Sequence, residues 1–239
     1  LMKRVAILII GLLSVFSLKI YGQNDEALTE FKFFRAGMYG TTGITWMKSD
    51  MKDWTNEGVR FGYGYGFMAE FALAPNIVIA SGFDVMYGSG KLKFADTLWS
   101  YDIYTNQQSD INSLYKIQYL QIPITIKMRT NEINYFRYYM RLGTSLGFRI
   151  GAKYTEEISA KDGSFIFRNF DNEKANDRIP LFRASFDVGG GIEYSLGGTT
   201  ALLAEIYFNN GLTNSLKEYN NVKYNAKVNY LMLRVGILF

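Results

Sequence analysis

Residues 226–239 read AKVNYLMLRVGILF, and position by position they alternate between two kinds of side chain. A period of two is the pattern of a strand with two chemically different faces. Asn229, Leu231, Leu233, Val235, Ile237 and Phe239 share one face, while Tyr230, Met232, Arg234 and Gly236 share the other. The rest of the chain repeats this design.

Working back from that strand, alternation predicts seven more, over 35–47, 61–73, 76–88, 115–129, 136–151, 182–195 and 200–209. Tilted strands of about ten residues suffice to cross a bilayer as a barrel. The predicted connections are long at 48–60, 89–114, 152–181 and 210–225, and short at 74–75, 130–135 and 196–199. Long outer loops opposite tight inner turns are what an eight-stranded antiparallel up-and-down transmembrane barrel requires when both termini lie on the periplasmic side.

One face of these strands is apolar and aromatic, through Phe61, Tyr63, Tyr65, Phe67, Ile122, Ile124, Ile126, Leu142, Phe186, Val188 and Ile206. It reads as a lipid-facing belt with interfacial aromatic girdles. The opposite face carries Arg35, Glu70, Asp84, Lys127, Arg137, Arg141, Arg149, Arg183, Asp187, Glu193, Glu205 and Arg234, interleaved with glycines. The interior of an eight-stranded barrel is filled by side chains. Charges there must pair or cost several kcal/mol each, so this face is expected to form a lumen charge network, with glycines leaving room for the long arginines. Periodicity alone permits the inverse, a soluble lipocalin-like barrel with an apolar pocket.

The opposite end of the chain supports export. Residues 1–22 place Lys3 and Arg4 before an apolar run over 5–18, then Ile20-Tyr21-Gly22. This is the layout of a secretory signal peptide, and the run is short of the ~20 residues of a membrane-spanning helix. The expected organisation is a signal peptide over 1–22, a short periplasmic segment over 23–34 and a barrel domain over 35–239. Subtracting Lys3, Arg4 and Lys19 lowers the net charge of +4 by three, so the basic balance is no argument for nucleic-acid binding. Without Cys there is neither a disulfide nor an acylated cysteine.

The segments YLQIPITIKMR (119–129) and YFRYYMRLGTSLGFRI (135–150), then FDVGGGIEYSL (186–196) and LLAEIYFNNGLTNSL (202–216), resemble the PorT-like outer-membrane β-barrel family of Bacteroidota. More broadly the chain is similar to eight-stranded barrels of the OmpA and OmpX kind, and the close on Phe239 resembles the insertion signal that the barrel-assembly machinery reads. The resemblance implies an outer-membrane location amid lipid and lipopolysaccharide, and a role in a surface or secretion complex, with type IX secretion as one version. RAGMYGTTGITWM (35–47) departs from the secretion-linked pattern. Pro123 inside a strand requires a missing or bulged ladder bond.

The chemistry that is absent narrows function. The chain has no His and no Cys, which removes the usual general base and thiol nucleophile and zinc sites of His/Cys type. Glu193 and Glu205 could form a carboxylate pair, but each is expected to bind an Arg instead. Arg137, Arg141 and Arg149 share a strand face and read either as an anion site or as partners of the lumen carboxylates. Gly62–Gly66 and Gly189–Gly191 fit no nucleotide-loop spacing. Binding would reside in loops 89–114, with Trp99, Tyr101 and Tyr104, and 152–181. Asp96-Thr97-Leu98 resembles a short O-glycosylation acceptor. Asp171, Glu173 and Asp177 could hold calcium, although not at EF-hand spacing.

The sequence therefore points to an all-β, non-enzymatic, cofactor-free outer-membrane barrel that presents loops 89–114 and 152–181 to a protein partner. A small-solute pore, a stand-alone adhesive barrel and a soluble ligand-binding barrel are the alternatives.

Overall fold

The terminal strand β10 (Ala226–Leu238) has neighbours from both ends of the barrel: β1 (Phe34–Ser49) on one side and β9 (Thr200–Gly211) on the other. Gly37 faces Leu238 in register, and the Phe239 and Ala36 backbones exchange hydrogen bonds of 2.8 and 3.0 Å. That pairing is the seam that joins the last strand to the first.

The computed structural model describes residues 33–52, 54–96, 109–160, 166–217 and 225–239. The signal peptide expected over 1–22 and nearly all of the 23–34 segment lie outside these residues, as do Trp99, Tyr101 and Tyr104. From the seam the sheet continues through β3 (Arg60–Ala74), β4 (Ile77–Asp96), β5 (Ser109–Arg129), β6 (Phe136–Ala160) and β8 (Phe182–Gly197) back to β9. Every pairing is antiparallel and β4 also pairs β5, so the eight strands close on themselves and leave no barrel edge. Two further strands, β2 (Trp54–Asn56) and β7 (Ile166–Lys174), add to the outer ends of β4 and β6.

One end is drawn tight. Two residues separate β3 from β4 and two separate β8 from β9, where Gly197 and Gly198 take positive φ of 104° and 61°. The third turn, 130–135, is pinned by Ile133 and Phe136, which exchange backbone bonds of 2.8 and 2.9 Å. Pro123 sits where the β4–β5 ladder skips between Ser81/Ile124 and Asp84/Gln121, so its missing N–H costs no β4 bond.

The other end departs from the sequence reading. β4, β5 and β6 run for 20, 21 and 25 residues, so much of the predicted loops 89–114 and 152–181 is strand. In β4 the alternation simply continues, with Leu92 and Phe94 buried between Lys91 and Lys93. In β6 a β-bulge intervenes: Gln118 pairs Gly151 while Tyr119 pairs Arg149, leaving Ile150 as the extra residue. The buried set of β6 accordingly passes from odd positions (Tyr139, Arg141, Ser145) to even ones (Ala152, Tyr154, Glu156, Ile158). A one-residue shift reverses the faces of a strand, so the segment loses its alternation on paper while remaining a strand.

The outward surface is apolar where the eight strands run side by side. Phe67, Phe83, Ile124, Met140, Ile206 and Val235 are all exposed, with Ile206 at 61%. Aromatic pairs sit near both strand ends. Phe34–Phe71 (5.2 Å) and Phe136–Tyr194 (5.0 Å) lie toward the tight turns, with Trp46–Phe208 (6.0 Å) and Tyr63–Tyr87 (4.6 Å) toward the other end. Water does not tolerate a band of this kind, and hydrocarbon bounded by two interfaces does. The inverse, lipocalin-like arrangement is ruled out by side-chain direction: the charges point in.

Candidate functional site

Inside the barrel the charges assemble into three connected groups. In the first, Arg35 of β1 donates to Glu70 of β3 at 2.5 Å and to Glu193 of β8 at 3.0 and 3.1 Å. Lys127 of β5 donates to Glu70 at 2.6 Å and to Glu193, and its Nζ lies 4.0 Å from the centre of the Tyr139 ring. Two cations and two carboxylates thus form a closed square built from four strands.

The second group centres on Glu205 of β9. Arg141 donates through Nη2 at 2.5 Å and Nε at 3.1 Å, Arg234 approaches at 3.4 Å, and the Tyr139 hydroxyl donates at 3.0 Å. The Arg234 guanidinium lies over two rings, 4.2 Å from Tyr39 and 4.5 Å from Tyr207. Tyr39 then donates to Asp84 at 2.9 Å.

In the third, Arg183 donates to Asn209 at 2.5 Å and to the Val228 carbonyl at 2.8 Å, over the Tyr230 ring. Asn209 donates to Ser185 at 2.8 Å and to Asp187, which also accepts from Ser145. Each buried carboxylate thereby has a donor, the condition under which buried charge is tolerable.

Two residues expected in this network stand apart. Arg137, near the tight-turn end of β6, reaches out to Glu132 at 2.9 Å with both side chains about a third exposed. Arg149 lies at the β6 bulge, only half-buried, and donates to Asn176 in the segment between β7 and β8. Without them, five buried bases (Arg35, Lys127, Arg141, Arg183, Arg234) face five buried acids (Glu70, Asp84, Asp187, Glu193, Glu205). No anion site forms from Arg137, Arg141 and Arg149, because the strand carries them to different ends and different partners. Glu193 and Glu205 each bind two cations rather than each other.

The glycines serve tyrosines as much as arginines. A Cβ on Gly191 would lie 2.7 Å from the Tyr139 hydroxyl and 2.3 Å from the Ala204 carbonyl, and one on Gly88 would lie 2.6 Å from the Tyr230 ring. Among the cavities of this interior is one of about 20 Å³ between Tyr39, Glu70, Lys127, Tyr139 and Arg234, enough for about one water.

Beyond the charged layer the interior becomes apolar. Met47, Met86, Leu92, Tyr115, Ile117, Tyr154, Val228 and Met232 form a core, which Ala175, Ile179 and Leu216 close from the connecting segments. Trp54 of β2 stacks on Phe94 of β4 at 4.1 Å above it. One charge pair, absent from the sequence reading, is set in this cap. Glu156, 1% exposed, accepts from Arg178 at 2.8 Å and from Ser113 at 2.9 Å. Burial pulls the Arg178 pKa down, but the Glu156 carboxylate more than offsets this and holds it above the ordinary value. The alternation within KYTEEIS (153–159) was the signal, hidden by the bulge. Asp171, Glu173 and Asp177 are exposed, and Asp171 accepts from Thr155 and Asn172; among the described residues no acidic cluster is placed to hold a metal ion.

A model of the family described as outer membrane protein beta-barrel domain matches residues 21–217. No curated protein matches the sequence. Among solved structures, Neisserial surface protein A aligns at 14% identity, covering 87% of this chain and 98% of its own with a TM-score of 0.40. OprG of Pseudomonas aeruginosa aligns at 12% identity, covering 86% and 93%, with a TM-score of 0.39. The attachment invasion locus protein Ail of Yersinia pestis aligns at 14% identity, covering 87% and 100%, with a TM-score of 0.34.

Proposed function

Since the chain belongs to the outer membrane protein beta-barrel domain family, and so resides in the outer membrane, we propose that it is a non-enzymatic accessory or structural barrel. In this reading it displays the extension of β4–β7 to a protein partner at the cell surface. One observation carries the proposal. β4, β5 and β6 run for 20, 21 and 25 residues, against the roughly 9–11 that a bilayer-crossing strand needs. The surplus is not loose loop but a sheet with its own apolar core, and rigid presentation is how scaffolds hold binding surfaces. The sequence resemblance to PorT-like barrels makes a secretion complex, type IX among them, the first partner to look for.

A small-solute pore is the weaker reading. The closed charge square and the apolar cap stand in series along the lumen, and eight strands enclose little more than side chains. An enzyme is disfavoured because each lumen carboxylate is already engaged and the chain has no His.

Affinity purification of the tagged chain from its native outer membrane in mild detergent tests the proposal. Stoichiometric recovery of a surface or secretion complex, lost when the 89–96 and 109–117 extensions are shortened as a pair, is the expected result. Recovery of the barrel alone would overturn it. Single-channel steps in planar bilayers would favour the pore instead.

A further inference from the structure

Three lysines stand side by side on the outer wall of the extension. Lys116 of β5 pairs in register with Lys153 of β6, which pairs in register with Lys174 of β7. Neighbouring strands lie about 4.8 Å apart, and like charges directly opposite each other destabilise a sheet. Other lysines of the same extension have acidic partners: Lys91 meets Glu57 at 3.5 Å and Lys93 meets Asp110 at 3.0 Å. Among the described residues the row of three has no ion pair, and its one recorded polar contact is from Lys116 to the Asn172 side chain at 2.8 Å.

The row lies along one side of a groove of about 500 Å³. The other side is formed by Tyr63, stacked on Tyr87 at 4.6 Å, and by Ile150, the bulge residue turned outward. In register, Lys116 and Lys153 stand two residues beyond Gln118 and Gly151, and Gln118 is level with Tyr87. Cations thus follow immediately after an aromatic girdle, where hydrocarbon gives way to head groups.

We propose that this groove is a binding site for an anionic lipid of the outer leaflet. The phosphate head group is held by Lys116, Lys153 and Lys174, and an acyl chain lies along Tyr63, Tyr87 and Ile150. The lipid phosphate supplies the counter-charge that the described residues do not. This site depends on the outer-membrane placement and not on any protein partner, so it can stand or fall separately from the accessory role.

Native mass spectrometry of the refolded full chain in detergent tests it, with dioleoyl-phosphatidylglycerol set against dioleoyl-phosphatidylcholine. The expected result is retention of the anionic lipid at concentrations about a hundredfold lower, as three nearby cations would give. That preference should vanish in K116Q/K153Q/K174Q and persist in K48Q/K227Q. The second variant removes another cross-strand lysine pair, at the outer end of the seam and away from the groove. Heat-modifiable migration shows that each variant is folded. No preference in the parent chain, or its survival in the triple variant, would overturn the proposal. So would displacement of the lipid by millimolar inorganic phosphate alone, which would make the row a site for soluble anions.

Discussion

Arg35 and Glu193 lie 158 residues apart in the chain and meet across the lumen through two hydrogen bonds of 3.0 and 3.1 Å. Their strands, β1 and β8, are not neighbours in the sheet. The contact is therefore a strut between walls, and the ladder alone would not position it.

Removing one carboxylate from that square leaves Arg35 and Lys127 sharing Glu70. Glu193→Gln should lower stability by about 3–5 kcal/mol, the usual cost of an uncompensated buried charge. Pairing it with Lys127→Met should recover part of the loss. Urea midpoints for refolded protein, read by heat-modifiable gel shift, compare both single variants with the double; losses that simply add would mean that the charges are independent.

The Glu156–Arg178 pair holds the 175–179 segment over the barrel mouth, together with the 3.0 Å bond from Ala175 N to the Ala152 carbonyl. Arg178→Ala should raise amide exchange at Ala175 and Ile179. Global stability from urea unfolding should fall by about 1.5–3 kcal/mol, the scale of one hydrogen bond to a charged group, since Ser113 still donates to the buried Glu156. Unchanged protection at these amides would show that the apolar contacts of Ile179 suffice.

Depth in the membrane sets the cost of charge on the outward face. Ile206→Arg should destabilise by about 2–4 kcal/mol, and Leu73→Arg, beside a tight turn, by about 0–1 kcal/mol. Refolding titrations into lipid vesicles measure both, and a reversed order would misplace the midplane.

Phe239 holds the seam, and the insertion signal expected of it from the sequence can be tested apart from that. Its backbone bonds Ala36, whereas its ring is exposed. Phe239→Ala should preserve refolding in detergent and reduce the amount of barrel found in the outer membrane of cells, as an insertion signal requires. Equal amounts in cells would assign the residue to the seam alone.

The barrel strands were legible because a lipid face and a lumen face differ at every second residue, as Phe61, Tyr63 and Tyr65 alternate with Gly62, Gly64 and Gly66. Arg35, Lys127, Arg183 and Arg234 were legible for the same reason: a charge at a lumen position has to be there for a partner. Arg137 was misread because a long side chain at a strand end can leave the lumen that its parity points into. Tyrosines were ambiguous, since Tyr63 is content at the interface while Tyr139 and Tyr230 fill space vacated by glycine. The apolar cap was missed where β6 shifts phase, because a pattern read with one period cannot cross the point where the period restarts.

That shift at Ile150 acts as a clutch between two machines on one shaft. Below it, β6 turns its odd residues to a neighbour-rich charged interior; above it, the even ones face an oily plug. Were Ile150 drawn into the ladder instead of left out of it, the upper half would rotate by half a turn, sending Lys153 and Thr155 inward and Tyr154, Glu156 and Ile158 out to water. One residue held out of the ladder thus keeps the surface module in phase with its anchor.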